Sequence, residues 1–162
     1  MRKYFILFLL CLPLAGYSQK VTSGSLKILK NQARVNLELD FSQAVIHGMS
    51  EDDFDIYERD WSRDKDQIKA FFMIAASDRC TNLIIGPFPE AEYTLRVIVL
   101  RINTQGDFTC IGELRNKSGD VLATITGISD KGGRFGSKLN LIKDGAKHTG
   151  ERFGIFLRKQ LR

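Results

Sequence analysis

Residues 33–42 alternate strictly. Val35, Leu37, Leu39 and Phe41 are apolar, while Asn36, Glu38 and Asp40 between them are polar. A period of two with one polar face defines a half-buried strand, predicted over Ala33–Ser42. Ser25–Leu29 reads as its partner across Lys30-Asn31-Gln32, a short polar joint that predicts a hairpin. Further on, Tyr93–Asn103 is apolar on both parities, with Leu95, Val97 and Val99 set against Ile98, Leu100 and Ile102. That pattern predicts a central strand. Thr104-Gln105-Gly106-Asp107 and Asn116–Asp120 turn the chain into Phe108–Arg115 and Val121–Ile128, a three-strand meander. Asn82–Ile85 is a short apolar strand stopped by Gly86-Pro87-Phe88-Pro89.

Two stretches change to helical spacing. Phe54, Tyr57, Trp61, Ile68, Phe71, Phe72 and Ala75 follow one helical face behind Ser50, whose hydroxyl suits an N-cap. This helix is predicted to run to about Asp78, or to break near Asp64–Asp66, with Ala70–Ala76 buried all round. Phe135, Leu139, Ile142, Ala146, Phe153, Phe156, Leu157 and Leu161 define the second stretch, in which Gly145 is expected to mark a break and Thr149 a second cap. Gly150 and Gly154 would allow close approach to a neighbour. The predicted class is α+β: a single mostly antiparallel, or mixed, sheet of about five to six strands, with two long helices on one face and the order β-β-α-β-β-β-β-α.

The N-terminus alters this picture. Arg2 and Lys3 precede an apolar run, Tyr4–Leu14, and small residues Gly16 and Ser18 sit where a secretory leader is cut. The expected organisation is a signal peptide over residues 1–18 and one α+β domain over 19–162. Cys11 follows the bulky Phe8, Leu9 and Leu10, which argues against lipid attachment. In an oxidising compartment Cys80 and Cys110 either form a disulfide or remain two buried thiols.

Apolar content of 43% and charged content of 27% are expected of a folded soluble protein rather than a disordered chain or a multi-span membrane protein, and a net charge of +5 does not by itself suggest a nucleic-acid binder. The charge is segregated: Glu51–Asp66 carries a local −5 and Lys131–Arg162 a local +7.

Candidate chemistry is sparse. His47 and His148 lack ligand spacing and read as loop histidines, so no metal or cofactor is expected. The acidic run 51–66 contains no Gly and follows a helical stripe rather than a calcium loop. Gly132–Lys138 is a glycine-rich turn in which Lys131, Arg134 and Lys138 could hold an anion at a helix start, but it matches no nucleotide motif. No G-x-S-x-G occurs. Phe88, held between Pro87 and Pro89, is either a presented binding knob or a plug at the core edge.

From Lys69 to Arg162, the helix Ala70–Ala76, the strand Leu83–Ile85, the segments AEYTLRVIVLRI and GELRNKSGDVLA, and the final GIFLRKQL resemble small exported domains of the curli-secretion-lipoprotein type. The resemblance implies an envelope-associated α/β domain that binds other proteins, and it carries over no functional residue. The sequence departs from that type in its N-terminal hairpin and in lacking a lipobox. The expectation is therefore a non-catalytic, periplasmic or secreted protein-binding module with a protein partner in the envelope, no nucleic-acid partner and no transmembrane segment after leader removal. The alternatives are an enzyme or anion-binding protein using the 132–138 turn, or a self-assembling envelope component forming homo-oligomers.

Overall fold

The computed structural model describes residues 18–162. Cys11 and the expected leader, apart from Ser18, fall outside the described residues. The chain builds β1 (Lys20–Gly24), a 3-10 turn (Lys27–Asn31), β2 (Arg34–Asp40), β3 (Val45–Ile46), β4 (Met49–Ser50), α1 (Glu51–Tyr57) and α2 (Trp61–Arg79). It continues through β5 (Ile84–Gly86), β6 (Tyr93–Ile102), β7 (Phe108–Asn116), β8 (Val121–Asp130) and α3 (Lys138–Gln160).

The α+β class holds, with the strands in one mixed eight-stranded sheet. Its order is β1-β8-β7-β6-β2-β5, with β3 running beside β6 and β4 folded back on β3. The antiparallel meander β6-β7-β8 forms as expected. The strand count and order differ from expectation at the N-terminal half. β1 and β2 are not a hairpin: β1 pairs antiparallel with β8, while β2 lies parallel to both β5 and β6. The segment 25–29 leaves the strand pattern because Leu26 and Leu29, three residues apart, both enter the core. A 3-10 turn places residues at that spacing on one side; a strand would have split them. The two short strands β3 and β4 meet at His47-Gly48, whose φ values of 51° and 86° fit a two-residue type I′ turn.

The described residues hold three α-helices where two long ones are expected, because the first helical segment divides in two. Ser50 caps α1 as expected, its Oγ accepting the Asp53 N–H at 3.1 Å. The break falls at Glu58–Asp60, ahead of Asp64–Asp66. Trp61 restarts the helix because its ring is locked edge-on against Phe54 and Phe41, at 5.1 and 5.4 Å between centroids. Asp64 does not interrupt the buried stripe; it is part of it, in an ion pair with Lys143 of α3 at 3.0 Å. Ala70–Ala76 is not buried all round, since Phe71 and Ile74 are 43% and 60% exposed.

α3 is one continuous helix, capped by Ser137 through the Asn140 N–H at 3.3 Å. Thr149 lies inside it, fully buried, rather than capping a second helix. The glycines serve packing instead of a break. A Cβ on Gly150 would strike the Phe72 carbonyl of α2, and one on Gly154 the Ala76 carbonyl. The expected close approach at Gly150 and Gly154 is therefore made to α2. Leu37 and Leu39 of β2, Leu95 and Val97 of β6, Leu114 of β7 and Ile125 of β8 share one sheet face and join the same core as Phe72 and Phe153.

Candidate binding surface

The opposite sheet face is lined by the other parity, and among the described residues no helix covers it. Cross-strand register fixes the arrangement. Glu38 of β2 stands opposite Arg96 of β6, which stands opposite Glu113 of β7, and Thr124 of β8 completes the row. The next row runs Asn36, Thr94, Arg115. On the other side Asp40, Ile98 and Ile111 lie abreast. Alternating sign between directly opposed residues is favourable and pins the register.

The charges are organised rather than loose. Arg96 Nη2 donates to Asp40 Oδ2 at 2.6 Å and its Nε to the same oxygen at 3.2 Å. Arg115 donates to Glu113 Oε2 through Nη2 at 2.6 Å and Nε at 2.8 Å. Partial burial would raise the Asp40 pKa, but the Ser42 N–H and the Arg96 guanidinium hold it below the ordinary carboxylate range. Both arginines are half-buried, and Ile98 on the same face is only 5% exposed.

Asn36 is the buried node of this face. Its Nδ2 donates to Glu38 Oε1 and Thr94 Oγ1, both at 3.2 Å, and its Oδ1 accepts the Phe88 N–H at 3.0 Å. The last bond places Pro87-Phe88-Pro89 at the rim. Phe88 is half-buried, its ring against Gly86, with the Arg34 guanidinium 5.6 Å from its centroid. Beside it a shallow polar depression of about 220 Å³ is lined by Glu38, Pro89, Thr94, Arg115 and Lys117.

The other residues singled out in the sequence lie elsewhere. Lys131 and Arg134 are exposed on the β8–α3 turn, and Lys138 opens α3. Three N–H groups of the turn are engaged: Gly132 donates to Asp107 Oδ1 at 2.7 Å, Gly133 to the Leu141 carbonyl at 3.3 Å and Lys131 to Asp130 Oδ1 at 2.8 Å. Lys138 Nζ donates to the Tyr57 hydroxyl at 2.7 Å and lies over that ring. His47 is not a solvated loop residue: it packs on Phe54, and burial together with nearby Lys138 holds its pKa below the usual value. His148 lies within α3, its Nδ1 donating to the Lys131 carbonyl at 3.0 Å. The disulfide reading of Cys80 and Cys110 is not realised, and both are free, buried thiols. Cys80 ends α2 and leads into β5, whereas Cys110 faces the core from β7, three places away in the sheet.

The sequence pattern of Tyr93–Asn103, apolar at both parities, hides the charged row. Thr94 and Arg96 share the parity of Ile98, and the polar positions of β2 and β7 carry the same signal. Among the described residues no cluster of metal-ligating side chains occurs, and no described helix is long and apolar enough to cross a membrane.

No protein-family model and no curated protein matches the chain. Among solved structures it is similar to the PelC dodecamer from Paraburkholderia phytofirmans, with 12% identity, 83% of this chain and 97% of that chain covered, and a TM-score of 0.46. A single-substitution PelC variant from the same organism, also a dodecamer, gives 15% identity, 86% and 98% coverage, and a TM-score of 0.45.

Proposed function

We propose that the chain is an exported, non-catalytic binding module of the periplasm or cell envelope that engages a protein partner through the uncovered face of β2, β6, β7 and β8. The observation that carries this reading is the charge row Glu38–Arg96–Glu113, tied to Asp40 and Arg115, on a sheet face that no described helix covers. A fixed pattern of alternating charge discriminates partners by complementarity more than it adds raw affinity. Export follows from the charged start, apolar run and small residues of 1–18, and the resemblance to curli-type envelope domains is in keeping with it.

Site-specific photo-crosslinking tests the surface. A photoreactive residue at Thr124, on the open face, is expected to give a discrete crosslinked species in intact cells, and one at Lys147, on the helix layer, none. Equal crosslinking from both positions, or from Lys147 alone, overturns the assignment.

A further inference from the structure

We infer that the exported chain ends in a pyroglutamyl residue formed from Gln19. The inference rests on the export reading above, in which cleavage follows Ser18.

Gln19 lines an open depression of about 670 Å³ at the outer edge of the sheet, together with Ser129, Arg152, Phe156 and Lys159. Its side-chain Oε1 and Nε2 are both shielded from solvent, and among the described residues neither has a hydrogen-bond partner. An unpaired buried amide group is costly. The wall beside it is basic. Arg152 donates to the Ser129 carbonyl at 3.3 Å and lies 3.8 Å from Asp130, its one ion-pair partner among the described residues, while Lys159 forms no ion pair among them. Cleavage before Gln19 would add a protonated α-amine to this setting, and nearby positive charge disfavours that form. The residue is not on a loose tail, because Lys20 immediately begins β1 opposite Thr126.

One intramolecular reaction removes both problems. The uncharged α-amine of Gln19 attacks its own Cδ, the N–Cδ bond forms, and the Cδ–Nε2 bond breaks. Nε2 leaves as ammonia, taking up the proton that the amine loses. The product is a neutral five-membered lactam, and no oxidant, reductant or co-reactant enters. The ammonium group and the primary amide are replaced by one N–H and one carbonyl, so fewer polar groups need partners against Phe156.

The experiment is mass spectrometry of the full-length protein recovered from the exported fraction, quenched in acid at once, with stepwise N-terminal sequencing alongside. The expected N-terminal peptide begins at residue 19 and is lighter by one ammonia in nearly all molecules at the moment of isolation. Sequencing is expected to be blocked until pyroglutamyl aminopeptidase is added, whereas Gln19→Asn reads directly. A peptide beginning at an unmodified Gln19, or one that loses ammonia only during storage, overturns the inference and leaves export standing. A chain beginning elsewhere overturns the cleavage reading and the modification with it.

Discussion

Asn36 Oδ1 accepts the backbone N–H of Phe88 at 3.0 Å, across 52 residues of sequence. The bond ties the centre of β2 to the proline-flanked rim of the open face. Asn36 is nearly fully buried and also donates to Glu38 and Thr94. Replacing it with Leu leaves the Phe88 N–H and the Thr94 hydroxyl without that partner. Asn36→Leu is expected to cost about 1–3 kcal/mol, measured by urea unfolding, and to raise proteolysis at Pro87–Glu92. An unchanged midpoint would contradict this role.

Asp64 and Lys143 hold α2 to α3 at 3.0 Å, and Arg63 Nε reaches the second Asp64 oxygen at 3.0 Å. The Asp64 carboxyl is held below its ordinary pKa first by the Lys143 bond, against burial, and then by Arg63. Its stabilisation is therefore complete above the unfolded carboxylate value, about pH 4, and is lost as pH falls through the lower folded value. Asp64→Ala is expected to destabilise by about 2–3 kcal/mol at pH 7, the low end for a buried pair because Lys143 can still reach water. In thermal melts at pH 7 and pH 2.5 the gap between variant and wild type should narrow at the lower pH. An equal gap at both would contradict the ion-pair account.

Gly150 and Gly154 set the distance between the two long helices. A methyl group at either would meet α2 backbone, which cannot swing aside as a side chain can. Gly154→Ala should therefore destabilise, despite the better helix propensity of Ala, by about 1–3 kcal/mol. Chemical denaturation of the variant checks the sign: a gain in stability would show that the helices are not in close contact there.

Burial raises the pKa of the Cys110 thiol well above its usual value and also raises that of Cys80. Neither thiolate is accessible in the folded state, so both should react with an alkylating reagent only at the rate of unfolding. Intact mass without reductant should show both thiols free. A disulfide-linked species, or rapid native labelling, would contradict the packing described.

Much of the fold was legible in the sequence. The meander β6-β7-β8 announced itself through strand patterns and glycine-containing turns, and Ser50 through its cap. The N-terminal hairpin failed because Leu26 and Leu29 have a spacing that a strand pattern tolerates but only the tertiary core decides. The parallel placement of β2 between β5 and β6 depends on where the α1–α2 crossover lands, and alternation within β2 contains nothing about that. A break near Asp64–Asp66 is a fair expectation from the sequence because the partner of Asp64, Lys143, lies 79 residues away. Phe88 was readable as a restrained aromatic, but its bond to Asn36 was not. The charged row emerged only with the register, since opposition across strands is a property of pairing and not of composition.

The most direct measurement exchanges the two charges of one pair. Glu113→Arg combined with Arg115→Glu keeps the composition and a salt bridge on β7, but reverses the pattern presented by the open face. The exchange sets like charges opposite each other at position 113 and Arg96, so a modest fall in melting temperature is expected, and affinity is read at a temperature where both proteins are fully folded. Affinity for the crosslinked partner, measured by titration of the purified proteins, should fall at least about tenfold. Unchanged affinity in a folded double variant would contradict the assignment of this face as the binding surface.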